Sequence, residues 1–256
     1  MPVWATAGLV YFAYICVVAL CRPAPAQRRL RACALAACGL LLCALAAYVR
    51  PFWLRGVVLP PLTLLVAYWS SGCLWIAPMP HAEHVLMRFD LALRVPRIGA
   101  SLPRIVIEII ELAYAGIYPL VPIAFVLHVA FAPHPDAERF WTVVLVTDFI
   151  CFGMLPWIQT RPPRAIEETA PWTSAVRAFN ERLLRQTSIG VNTVPSGHAA
   201  EAFAAALLLS GAPWPIQASM WLAALAVSAG AVFGRYHFAL DAIAGWAVAL
   251  VAWSLL

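Results

Sequence analysis

Residues 32–49 read ACALAACGLLLCALAAYV. An α-helix needs roughly 20 apolar residues to cross the hydrocarbon core of a bilayer. It also satisfies its own backbone hydrogen bonds, which lipid cannot do. This uncharged run therefore predicts a membrane-spanning helix. Seven more apolar stretches read the same way, at about 4–20, 56–78, 105–131, 140–158, 198–212, 216–234 and 239–256. Composition agrees: 63% of the 256 residues are hydrophobic and only 11% charged, against about 25% charged in soluble domains. A soluble globular fold is excluded. The expected fold is all-α: a polytopic membrane helix bundle with about six core spans and two extra spans at the N-terminus. The first stretch has no basic segment before it and no small-residue cleavage site, so it reads as a retained span.

The formal charge is +5, and all 17 basic residues are arginine. They lie in short loops between apolar spans, which argues against nucleic-acid binding. Most suit lipid headgroups. A few suit bidentate phosphate binding. The seven cysteines include no CxxC pair and read as small helix-packing residues, with no zinc site and no disulfide framework. No feature indicates an oligomeric state.

Two connections are long. Residues 79–104 interleave apolar and basic residues, as in Leu86-Met87-Arg88-Phe89, which predicts a segment lying in the membrane interface. Residues 159–197 are the most polar stretch of the chain, and ordered polar loops in membrane proteins are where chemistry is expected. The loops at 21–31, 79–104, 159–197 and 235–238 fall on one face and hold 14 of the 17 arginines. Taken alone, the positive-inside rule puts that face in the cytoplasm.

Three motifs lie on the same face: Thr160-Arg161-Pro162-Pro163-Arg164, Asn192-Thr193-Val194-Pro195-Ser196-Gly197-His198, and Gly234-Arg235-Tyr236-His237-Phe238-Ala239-Leu240-Asp241. Pro195-Ser196-Gly197 is a turn feeding a helix near His198. The N–H groups of a helix start attract anions, and Gly197 allows close approach of a phosphate. His198 is placed to hand a proton to a leaving oxygen. His237 and Asp241, four residues apart, share a helix face. A carboxylate on one imidazole nitrogen makes the other a better nucleophile. Arg161, Arg164 and Arg235 are candidates to neutralise a phosphoryl group in transfer. Elsewhere, Asp148 reads as structural, Glu108 and Glu111 as headgroup-level acids, Glu201 as a tuner of His198 or a helix-start acid, and His128 as interfacial.

These motifs resemble those of the PAP2 (type 2 phosphatidic acid phosphatase) superfamily. Pro195-Ser196-Gly197-His198 is similar to its central motif, HFALDAIAG at 237–245 to the end of its third, and Arg161-Pro162 to the end of its first. The resemblance covers about residues 140–250. It implies a PAP2-like catalytic membrane domain over 56–256, with N-terminal spans at 1–55. It implies that His237 forms a phosphohistidine with Asp241 as partner and that His198 is the general acid. Arg161, Ser196 and Gly197 would hold the phosphate of a lipid substrate, and neither metal nor other cofactor is needed. The family's usual motif Lys falls on Met154 here and a motif Arg on Ala231, so Arg164 and Arg235 are the candidate replacements. This pattern resembles the branch of inositol-phosphorylceramide synthase-like bacterial proteins, which leaves hydrolysis of a lipid phosphate or diphosphate and transfer of a phosphorylated head group both open. A non-catalytic transporter or structural protein, or a haem ligated by the two histidines, are the other readings. The resemblance also implies a plasma (inner) membrane location with the site on the extracytoplasmic face, against the arginine count.

Overall fold

A computed structural model describes residues 1–167 and 172–256 of the chain. Residues 168–171 of the long polar stretch lie outside the described residues. Within them every regular element is helical, joined by one isolated bridge between Thr160 and Asn192. The first helices are α1 (Val3–Cys21), α2 (Ala26–Tyr48) and α3 (Leu59–Gly72), the last preceded by a π-helical turn at Trp53–Val58. α4 (Pro80–Ala92) and α5 (Val95–Ala100) fill the first long connection, followed by α6 (Arg104–Ala115), α7 (Ile117–Phe131) and α8 (Ala137–Gly153). α9 (Ala175–Thr187) lies in the polar stretch, before α10 (Gly197–Leu208), α11 (Trp214–Phe233) and α12 (Ala239–Leu255). The chain is thus an all-helical membrane bundle.

α1, α2 and α11 are each long and apolar enough to cross a membrane alone. Their outward faces carry exposed Val10, Leu20, Leu41 and Leu222, as a lipid-facing surface requires. The expected single span at 105–131 is two helices. α6 and α7 meet at a bend of 68°, around Gly116. The cause is local: Pro119 has no N–H for the carbonyl of Ala115, and its ring crowds that carbonyl. The expected spans at 140–158 and 198–212 are shorter as helices. α10 ends at Leu208, and a turn follows in which Gly211 takes φ +97°, a backbone conformation suited to glycine.

α10 sits at the centre, packed against α7, α8, α11 and α12. Its buried face is mostly alanine, including Ala199, Ala200, Ala202, Ala204, Ala205 and Ala206, so neighbouring helices approach closely. Gly245 of α12 shows how closely: a Cβ there would lie 2.6 Å from the Ser196 carbonyl oxygen and 3.2 Å from the Ala200 nitrogen. The starts of α10 and α12 are thereby held side by side.

Residues 79–104 differ from the expected in-plane segment in one respect. The buried face of α4 carries Glu83 and Asp90 beside Leu86, so that face is turned to the protein and not to lipid. His128, expected at the interface, is 3% exposed. Its Nδ1 lies 2.9 Å from the Leu208 carbonyl, and its Nε2 accepts from the Asp136 N–H, which joins the ends of α7 and α10 to the start of α8.

Candidate active site

The turn before α10 is fixed before any side chain is considered. The N–H of Ser196 donates to the Asp241 carbonyl at 2.9 Å, and the Ser196 hydroxyl caps the helix by accepting from the Ala199 N–H. A Cβ on Gly197 would sit 2.8 Å from the Phe152 ring, so only glycine fits between this turn and α8. Ser196 is fully buried and spends its hydroxyl on the cap, while Gly197 lines the cleft.

The two imidazoles face that cleft. The rings of His198 and His237 lie 6.2 Å apart, centre to centre, at 73°. Tyr114 and Tyr118 each present an edge-on contact to His198 at 5.7 Å. Tyr114 stacks on Tyr236 at 4.0 Å, which fixes the floor. The free space between these groups is about 30 Å³, enough for water-sized groups.

Asp241 serves two functions. Its Oδ2 lies 3.7 Å from His237 Nδ1, within ion-pair range but beyond a hydrogen bond. The same oxygen accepts from the Phe238 N–H at 2.9 Å and from the Asn192 side-chain amide at 2.8 Å. Asn192 was quoted within the central motif but given no role by the sequence. It connects all three motifs: its amide also donates to the Thr160 hydroxyl, and its backbone N–H to the Thr160 carbonyl. A short polar residue just before a Pro-Ser-Gly turn was the available signal.

The three motif arginines separate. Arg161 is clamped by Glu83: Nε and Nη2 donate at 3.0 and 2.8 Å, and its backbone N–H donates to the same carboxylate. The Arg161 guanidinium, through these bonds, holds the Glu83 carboxyl below the usual carboxylate range. Arg235, in the left-handed region at φ 61°, is 3% exposed and pairs with Asp90 and Glu167. Burial works against its charge, but the two carboxylates outweigh that and keep it protonated. Arg164 alone lines the cleft. Its guanidinium lies over the Tyr236 ring at 5.2 Å, and its backbone N–H donates to the Arg235 carbonyl. Ala231, at the position of the absent motif Arg, is fully buried, and its carbonyl accepts from the N–H groups of both Tyr236 and His237.

Glu111 is a hub, not a headgroup-level acid. It is fully buried and accepts from Arg177, Asn180, Tyr236 and Trp172 at 2.7–3.0 Å. It therefore fastens α9 over the cleft and orients Tyr236 beneath it. The sequence reading missed this because the partners lie more than 60 residues away.

With this geometry in place, the comparison with known families is decisive: residues 137–256, running from the start of α8 to the end of the chain, match the PAP2 superfamily model. This part of the chain is similar to PAP2 domains. No curated protein and no solved structure matches the chain. The PAP2 match spans just under half of the residues and includes all three motifs. The likeness suggests phosphatase or phosphotransferase chemistry on phosphate esters. α1–α7 lie outside the match.

Proposed function

We propose that the protein is a lipid phosphatase that cleaves a phosphate or diphosphate ester through a phosphohistidine on His237. The carrying observation is a juxtaposition. The cleft between His198, His237 and Arg164 shares Tyr68, Phe152 and His198 with an apolar cavity of about 430 Å³. A phosphate at the imidazoles thus has a place for a hydrocarbon chain directly beside it.

In this reading His237 Nδ1 is turned toward Asp241, leaving Nε2 for attack on phosphorus. The P–N bond forms as the lipid P–O bond breaks, and His198 gives its proton to the departing oxygen. Water then attacks the phosphohistidine and returns its proton to His198. Phosphate leaves, and the bonding pair returns to His237. Arg164 is the guanidinium available to the equatorial oxygens. Arg161 and Arg235 act one step back, by fixing the loops that carry Arg164 and His237.

Head-group transfer through the same phosphohistidine is the second reading. It is favoured by a polar space of about 440 Å³ that shares Arg164, Leu184 and Ser188 with the cleft and is also walled by Glu167, Glu181 and Arg185. Such a space suits an alcohol acceptor in place of water. We place the site on the extracytoplasmic face of the plasma membrane. Of the fourteen arginines of the basic loops, Arg161, Arg177 and Arg235 are committed to internal ion pairs and Arg164 lines the cleft, which leaves ten against three. A reporter fused after Leu256 decides the matter: a cytoplasmic signal supports the outward-facing site.

The test of the reaction is phosphate release from a panel of lipid phosphates by detergent-purified protein with EDTA present. Wild type should release phosphate and His237→Ala should not, a loss on the order of 10⁴-fold or more. Release that persists in His237→Ala defeats the phosphohistidine. No release from any donor, but head-group exchange when an alcohol is added, selects the second reading.

A further inference from the structure

The cavity beside the cleft is lined mainly by apolar and aromatic side chains, and Glu201 is its only carboxyl group among the described residues. Between α3, α7 and α10 its walls include Leu64, Leu65, Val121, Pro122 and Phe152. Glu201, one turn beyond His198 on α10, also lines it and is 7% exposed. Behind it lies Asp148 of α8, fully buried, with the Glu201 carboxyl in hydrogen-bond reach and no N–H or hydroxyl among the described residues donating to either of its oxygens. None of the ion pairs among the described residues includes either acid.

Two carboxyl groups inside a helix bundle with no cation are costly. Neither helix capping nor packing accounts for Glu201. Ser196 already caps α10, and an alanine-sized residue would continue the alanine face that packs this helix. His198 and Glu201 are three residues apart, so their Cβ atoms lie about 5–6 Å from each other on one face. His198 belongs to both the cleft and the cavity. A lipid whose ester oxygen sits at His198 must therefore pass its next few carbons by Glu201 before its chain reaches the apolar wall.

We infer that Glu201, backed by Asp148, recognises a hydroxyl or amide N–H on the lipid backbone a few bonds from the phosphoester. The substrate class is then a phosphorylated lipid of the sphingoid or lysoglycero kind, in preference to a plain alkyl or polyprenyl phosphate. The inference rests on the lipid-phosphate reading of the cleft. A site built to hydrogen-bond a substrate group discriminates against the analogue lacking it, because the buried carboxyl pair is then left without a donor from the ligand.

The experiment compares 2-hydroxyoctadecyl phosphate with octadecyl phosphate in the same detergent micelles, using wild type, Glu201→Gln and Glu201→Leu. The ratio of kcat/KM for the two lipids is read. Wild type should favour the hydroxylated lipid by about 10- to 100-fold, the loss expected when a buried polar group is left without its donor. Glu201→Leu should bring the ratio close to one, and Glu201→Gln should keep part of it. A wild-type ratio near one, or a Glu201→Leu variant that slows both lipids equally, overturns the inference. Thermal unfolding of the same proteins with the non-hydrolysable phosphonates of both lipids separates recognition from turnover. A hydroxyl-dependent rise in Tm that Glu201→Leu removes, without phosphate release from either ester, retains the recognition and rejects the phosphatase reading alone.

Discussion

The part of the chain that matches the PAP2 superfamily and the part before it divide the polar work unevenly. α8–α12 and their loops supply the histidines, the cleft turn and the arginines. α4 and α6, outside the match, each supply carboxylates that hold those arginines, Glu83 for Arg161, Asp90 for Arg235 and Glu111 for Arg177, while Glu167 and Glu181 inside the match add to the last two. Asp90 also accepts from the Ala239 N–H at the start of α12, two residues before Asp241. Three clamps thus reach from the preceding segment into the motif loops and fix their positions. Arg164 is the exception, because no carboxylate among the described residues lies in ion-pair range of it. The contrast teaches that a motif arginine is assigned to substrate or to scaffold by its carboxylates, which here lie about 70–150 residues away in the chain.

The sharpest way to break this division is to exchange roles between the free and the clamped arginines. Removing Arg164 as Arg164→Ala should lower kcat on the order of 10²–10³-fold, the loss expected when one donor to a developing oxyanion disappears. Arg164→Lys should recover part of it, since the charge remains but the fork is lost. Steady-state kinetics on any cleaved ester check this. An Arg164→Ala enzyme with wild-type kcat would move the phosphate to another guanidinium and dissolve the distinction.

How much of this was legible follows from where each signal resides. The helical membrane class was plain in residues 32–49 and their counterparts, because apolar run length is a local property. The His198 and His237 pair was also local, since each histidine stands at the start of a helix with its own turn signals. The bend at Gly116 was in principle readable from Pro119 and Pro122, but a hydropathy run does not register a missing N–H. The clamps were not readable. Glu83 and Asp90 sit seven apart on a helix whose composition suggests an interfacial segment, and only the fold shows that both point inward. Glu111 was misread for the same reason: its four donors come from α9, the loop before it and Tyr236.

The Glu111 hub offers the next test. Glu111→Leu leaves Arg177 buried and uncompensated while deleting the acceptor for Asn180 and Tyr236. Breaking a buried pair by removing one partner costs about 3–5 kcal/mol. Thermal unfolding in detergent should show a marked fall in Tm, with α9 loosened enough to raise proteolysis within 172–187. The double variant Glu111→Leu, Arg177→Leu should regain part of the loss, because the orphaned charge is gone. A single variant as stable as wild type would show that α9 is held by apolar contacts and that the clamp on this side is incidental.

The Glu83–Arg161 clamp should give the smallest effect, since the Arg161 side chain is 45% exposed and solvent screens such pairs. Its signature is the pH dependence. Glu83 is held below its ordinary carboxylate pKa of 4.5, chiefly by hydrogen bonds from Arg161. A carboxyl with a depressed folded-state pKa contributes stability above the unfolded value, and loses it as pH falls through the folded one. Wild type and Glu83→Gln should therefore differ in Tm at pH 7 and converge in acid below pH 4.5, with the wild-type curve falling toward the variant. Activity at neutral pH should drop only modestly, because Arg161 steadies the loop carrying Arg164 and does not line the cleft. A loss in Glu83→Gln as large as that in Arg164→Ala would instead place Arg161 on the phosphate. It would then be the release of Arg161 from Glu83, and not the position of Arg164, that sets the charge in the site.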